Sequence, residues 1–183
     1  MDTQTFKLAT AQSEIAWIGK KVTGAHNGTI AIKEGSLYFV NDQLVGGKFI
    51  IDTTSIRILD ITDPATNAQF AGHLASDDFF SSAKYPTASF EIISAEKKSG
   101  DLYYIFGNLS IKGITHPVNF EAEIIQNGET LNAKGKMVIN RILFNMKFRS
   151  GNFFQNLGDT LIHNDFDLNI HITAKSAALA VRA

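Results

Sequence analysis

Five histidines, His26, His73, His116, His163 and His171, are the side chains best suited to proton transfer or metal binding in this chain, because imidazole titrates near neutral pH and ligates divalent metals. His73 is followed closely by Asp77 and Asp78, a spacing in which a carboxylate can orient an imidazole acting as general base. The same residues also suit a helix end, where His73 bonds backbone and Ser76 or Asp77 caps the next turn. His163 and His171 share strand parity with Asp165 and Asp167, which describes either a surface metal site or a solvated strand face. His116 precedes Pro117 and suits a turn at a strand start. No nucleophile accompanies them. There is no Cys, no G-x-S-x-G elbow, no H-E-x-x-H and no Gly-rich phosphate loop. An enzyme built on this chain would rest on His73 with Asp77 or Asp78 as acid and base, acting on an apolar substrate.

The elements that must position these residues are mostly strands. Phe166, Leu168, Ile170, Ile172 and Ala174 alternate with Asp165, Asp167, Asn169, His171, Thr173 and Lys175, the pattern of a half-buried antiparallel strand. Val118 to Ile124 and Leu131 to Ile139 repeat it. Further strand-like runs cover about 5–9, 13–23, 28–40, 44–58, 87–98 and 101–112, with turns at 98–101 and 126–129. Gly35 and the Gly46-Gly47 pair fall inside strand runs, where they permit the bends that curl a sheet. One helix interrupts the strands. Asp63 suits its N-cap and Pro64 its first position, it runs to about Leu74, and Phe70 and Leu74 place apolar bulk on its inward side. The polar loop 152–159, carrying Phe153, Phe154 and Leu157, reads as a lid or as a loop tip packed on its own domain. Regular short strands with one capping helical segment, about 63–80, predict an all-β fold, a closed antiparallel barrel with its edges removed; an open sandwich is the alternative.

Length bounds this to one domain, 1–183. A net charge of −1 without a Lys/Arg cluster leaves no broad positive field, so nucleic acid is not an expected partner. No apolar run is long enough to span a bilayer as a helix. Met1 to Phe6 shows no basic region leading into an apolar run, so the expected location is the cytoplasm as written, or the periplasm if a leader was removed. The chain holds 14 Phe against four Tyr and one Trp. Rings without a polar handle suit a wall with apolar surface and few hydrogen bonds, or equally a filled core.

Three sequence blocks carry a resemblance. Gly72-His73-Leu74, Phe79-Phe80 and Tyr85-Pro86 to Phe90 resemble the GHL…FF…YP…F signature of the YceI-like family. Gly107 to Phe120 resembles its G-x-L-x-(I/L)-x-G-x-T-x-P-V-x-F, and Ile139-Asn140-Arg141 with Phe144 resembles its I-D-R-x-x-F. Asn140 stands where that pattern usually has Asp, and Asn145 where it has Gly, which leaves the local pairing and turn open. The resemblance implies a lipocalin-like barrel of about eight strands, a homodimer, and a long apolar ligand such as an isoprenoid quinone, polyprenyl or acyl lipid, with no other cofactor and no catalysis. A ligand-free, filled barrel serving as a scaffold is the third reading. With a hollow barrel, the alternation selects Trp17, Phe39, Phe49, Phe90, Leu109, Phe120, Met137, Phe144 and Phe148 as lining residues, with Phe79 and Phe80 closing one end. Arg141 would hold a head group or pair with Asp77 or Asp78. A strand from Leu161 to Ala174 spans roughly 45 Å, and a tilt near 40° leaves a barrel about 35 Å tall, room along the axis for a tail of about 40 carbons.

Overall fold

The computed structural model describes residues 2–177; residues 1 and 178–183 of the expected domain lie outside them. Eleven strands form one antiparallel sheet: β1 (Thr3–Leu8), β2 (Glu14–Lys21), β3 (Gly24–Ile30), β4 (Ile32–Val40), β5 (Gln43–Asp52), β6 (Arg57–Ile58), β7 (Thr87–Ser99), β8 (Leu102–Ile111), β9 (Ile114–Asn127), β10 (Thr130–Asn140) and β11 (Ile162–Ser176). Their order is β1-β4-β5-β7-β8-β9-β10-β11-β2-β3-β6, and β1 also pairs with β11, which closes the sheet. β1 and β2 lie end to end along β11, against 174–176 and 162–171 respectively. β3 and β4 are likewise one strand bent at Ala31, whose N–H donates to Ser55 Oγ and whose carbonyl accepts from the Asp52 N–H. Counted as staves, these make the expected closed eight-stranded antiparallel barrel.

One expected run is interrupted. The run 44–58 breaks after Asp52, whose carboxylate accepts from the Thr54 N–H and starts a 3-10 turn at Thr53–Ser55. The bend near Gly46 is a bulge, since Tyr38 pairs with Gly46 but Phe39 with Leu44.

The barrel's two ends differ. Gly100 and Gly128 take positive φ in the tight β7–β8 and β9–β10 turns. At this end Phe6, Phe39, Leu44 and Leu131 are all buried, and the Phe6 ring meets Phe39 edge-on with centroids 5.4 Å apart. The other end carries α1 (Pro64–Ala75). Asp63 caps it by accepting from the Thr66 N–H (2.9 Å) and hydroxyl (2.5 Å), bonds that hold its carboxyl below the usual range. The helix ends at Ala75, as expected within one residue, and turns complete the capping segment. Ser76 turns extended, its hydroxyl bonds to the His73 carbonyl (2.6 Å), and 76–85 fold back as turns.

Glycine decides how the wall is packed. A Cβ on Gly28 would stand 2.5 Å from the Trp17 ring, one on Gly35 2.5 Å from Phe49, one on Gly107 2.3 Å from Phe90, and one on Gly135 3.1 Å from Phe120. Trp17 faces Gly28 directly, as Phe49 faces Gly35. Each ring therefore lies over a neighbouring strand and not across the barrel axis. In Gly107→Ala the Phe90 ring must leave the wall, because the new methyl also sits 2.6 Å from the Glu91 carbonyl. Thermal unfolding of this variant should show a loss of about 1–3 kcal/mol, as overpacking does; unchanged stability would mean the ring needs no glycine beneath it.

Candidate functional site

Inside the wall lies a cavity of about 470 Å³. Its lining follows strand parity: Ile15 and Trp17 of β2, Leu37 of β4, Phe49 of β5, Phe90 and Ile92 of β7, Ile105 and Leu109 of β8, Phe120 and Ala122 of β9, Met137 of β10, and Phe166, Leu168 and Ile170 of β11. Phe90 and Phe120 meet at 5.7 Å. The polar edge of Trp17 is satisfied outside the cavity by donation from Nε1 to the Thr29 carbonyl (3.2 Å). What remains is an apolar surface with few hydrogen-bonding groups, suited to hydrocarbon.

Ten of the twelve residues selected from sequence line this cavity: Trp17, Phe49, Phe79, Phe80, Phe90, Leu109, Phe120, Met137, Arg141 and Phe148. Phe39 does not. Its side chain points inward as alternation requires, but at the plugged end, where it packs on Phe6. Phe144 does not either. β9 and β10 stop pairing after Ala122 and Gly135, a 3-10 turn at Arg141–Phe144 follows β10, and Phe144 packs edge-on against His116 of β9, 5.4 Å away. Phe166, Leu168 and Ile170 line the cavity without having been singled out, although the alternation of β11 had already placed them on one face.

The α1 end is the mouth. Phe70, His73 and Leu74 of the helix line the cavity, as do Phe79 and Phe80 after it. Asn67 anchors the helix by donating to the Ile58 and Ile61 carbonyls. Lys112 donates to the carbonyls of Asp77 (3.1 Å) and Asn145 (3.0 Å), strapping the two turns together. His26 Nδ1 lies 2.7 Å from Asp60 Oδ2, and its ring packs on Phe70. His73 Nε2 reaches Asp78 Oδ2 at 2.9 Å, not backbone, and its ring sits against Phe79 and Phe148. Asp77 instead accepts from the Ser81 hydroxyl. A histidine–carboxylate pair thus stands at the mouth, with no activated nucleophile beside it among the described residues. Phe153 and Phe154 are exposed and outside the lining, so loop 152–159 is a loop tip that touches the rim through Phe154 against Phe148. His163, Asp165, His171 and Asp167 form no metal-holding group among the described residues; Asp167 faces Lys20 and Lys136.

Arg141 forms no ion pair with Asp77 or Asp78. It is buried and donates to three backbone carbonyls: Nε to His163 (2.9 Å), Nη1 to Met146 (2.6 Å) and Nη2 to Ile162 (3.1 Å). Desolvation pushes its pKa down to about 10, which still leaves it charged at neutral pH.

Comparison with known proteins follows the fold. The chain resembles Burkholderia cenocepacia BcnA (TM-score 0.68, 22% identity, covering 91% of this chain and 98% of that one). It also resembles a polyisoprenoid binding domain from Saccharophagus degradans implicated in plant cell wall breakdown (TM-score 0.69, 10% identity, 93% and 98%). Both likenesses establish the fold alone. In sequence, protein YceI of Escherichia coli O157:H7 is 38% identical over 78 residues, which are 43% of this chain and 40% of that protein. A UPF0312 protein of Shewanella denitrificans is 42% identical over 91 residues, 45% and 47%. These matches span less than half the length of either relative. The YceI-like domain, by contrast, matches residues 6–174, and the chain therefore belongs to the YceI-like family.

Proposed function

We propose that this protein is a noncatalytic carrier that sequesters the long apolar chain of a lipid, an isoprenoid or acyl chain, inside the barrel. The observation that carries this reading is the apolar cavity of about 470 Å³, with rings lying on glycines along its wall and α1 at its mouth. The polyisoprenoid binding domain with the same fold points the same way. The plugged end shortens the usable pore. Phe6, Phe39, Leu44 and Leu131 lie outside the lining, so the pore is shorter than the barrel height on which a tail of about 40 carbons was sized. A longer isoprenoid, such as a quinone tail, would leave its remainder and head at the mouth.

Organic extraction of protein purified from bacterial cells should release a prenyl or long acyl lipid near stoichiometry. Recovering none, with no uptake of a long-chain probe after delipidation, would end the carrier reading.

Leu109 pairs with His116, two residues before β8 ends, and faces Phe90 of β7, on the α1 side of the wall. Leu109→Trp should place its added volume in the cavity, so that uptake falls while the melting temperature of delipidated protein stays within a few degrees. Loss of several degrees with uptake unchanged, the mark of an overpacked core, would favour the filled scaffold.

The His73–Asp78 pair supports one rival, an enzyme on an apolar substrate. Both side chains are partly exposed (35% and 52%), so His73→Ala should cost only about 1 kcal/mol and leave the bound lipid's identity unchanged by mass spectrometry. Loss of a turnover that the native protein performs on its lipid would replace carrier with enzyme.

A further inference from the structure

The ionisable residues that line the cavity are strongly unbalanced for a chain of net charge −1. Besides histidines they are Lys20, Lys21, Lys134, Arg141, Arg149 and a single carboxylate, Asp165. The residues that carry three of the cations are tied to one strand residue. Ile162 pairs with Lys21, its N–H donates to the Arg149 carbonyl (2.9 Å), and its own carbonyl accepts from Arg141 (3.1 Å). The strand parity of Ile15, Trp17 and Gly19 carries Lys21 to the inner face at the rim. The guanidiniums also share a floor: Arg141 lies 6.0 Å from the Phe79 ring centroid, Arg149 5.0 Å from that of Phe148, and the two rings are 5.9 Å apart.

None of these three cations has a carboxylate partner among the described residues; Lys20 is the lining lysine that does, through Asp167 at 3.7 Å. Arg141 has three of its five donors on carbonyls, which satisfies hydrogen bonds but leaves its charge without a counter-ion beside an apolar cavity. A buried charge of that kind favours an anion within reach. We propose that the ligand is a single-chain lipid ending in an anion, a carboxylate or phosphate, and that its head seats at the mouth among Arg141, Arg149 and Lys21 while the chain runs past Leu109 toward Ile105. This rests on the carrier reading, since it names the ligand class of the same cavity. Asp165, the one acid of the lining, opposes an anionic head but is outnumbered by the cations.

The test compares ligands that differ only in head charge: hexadecanoate against hexadecan-1-ol, and geranylgeranyl phosphate against geranylgeraniol, titrated into delipidated protein at low and high salt. The anion of each pair should bind about tenfold tighter at low salt, and the preference should shrink as salt screens the exposed rim cations. In the double variant Lys21→Gln, Arg149→Asn the ratio within each pair should fall toward one. Asn suits position 149, where φ is +49°, and Arg141 with its structural bonds is left intact. Equal binding of acid and alcohol to the native protein overturns the head-group assignment while the carrier reading stands. A preference that persists in the double variant removes Lys21 and Arg149 from the site. Preference in the phosphate pair alone names phosphate as the head, and preference in the carboxylate pair alone names carboxylate. If none of the four binds, the carrier reading falls and takes this assignment with it.

Discussion

An aromatic ring can lie flat on a barrel wall only where the neighbouring strand has no Cβ beneath it. The structure depends on that constraint. Trp17 over Gly28, Phe49 over Gly35 and Phe90 over Gly107 are arranged so that any side chain on the glycine would push the ring off. Were these glycines alanine, the rings would have to turn toward the axis, and an eight-stranded barrel is just narrow enough for side chains to fill it. Glycine costs a strand in entropy and lost packing. Here the overlying ring offsets part of that cost by covering the exposed backbone, the same device by which aromatic residues rescue glycines in other sheets.

A hollow barrel needs its ends treated differently. The hairpin end is sealed by close packing of Phe6, Phe39, Leu44 and Leu131, so apolar surface there is removed from water permanently. The other end is spanned by a helix whose anchors are mostly hydrogen bonds at its edges: Asp63 and Asn67 at its start, Ser76 at its end, and the Lys112 strap beyond. Such bonds are worth less than a packed core and open at lower cost. On the carrier proposal, a chain would enter and leave at the α1 end, where Arg141 and Arg149 also lie against Phe79 and Phe148.

Alternation was sufficient to find most of the wall. Leu109 and Phe120 line the cavity because each is flanked by outward polar residues, Met137 because Lys136 and the exposed Val138 flank it, and period two sends each inward wherever the strand lies. Phe39 shows what alternation leaves out. It also points inward, but parity gives the side of the sheet and not the depth along the axis, and only the register of β4 against β1 puts it in the plug. Phe144 shows a second gap, for the strand run ends at Asn140 and the turn after it follows no period. His73 was legible as a helix-end residue beside acids; that it would choose Asp78 over backbone depended on where the 76–85 turns folded.

The sequence by itself determined the strand pattern, the capped start of α1 at Asp63-Pro64, the turns at Gly100 and Gly128, and through its motifs the family. These are local properties, set by side-chain period, backbone preference and capping within a few residues. Tertiary structure alone decided that the barrel is blind at one end, that glycines lie under rings from other strands, and that Lys21, Arg141 and Arg149 converge on Ile162. Each of those facts joins residues far apart in the chain, and their distance is fixed by strand register and barrel closure, which no local pattern encodes.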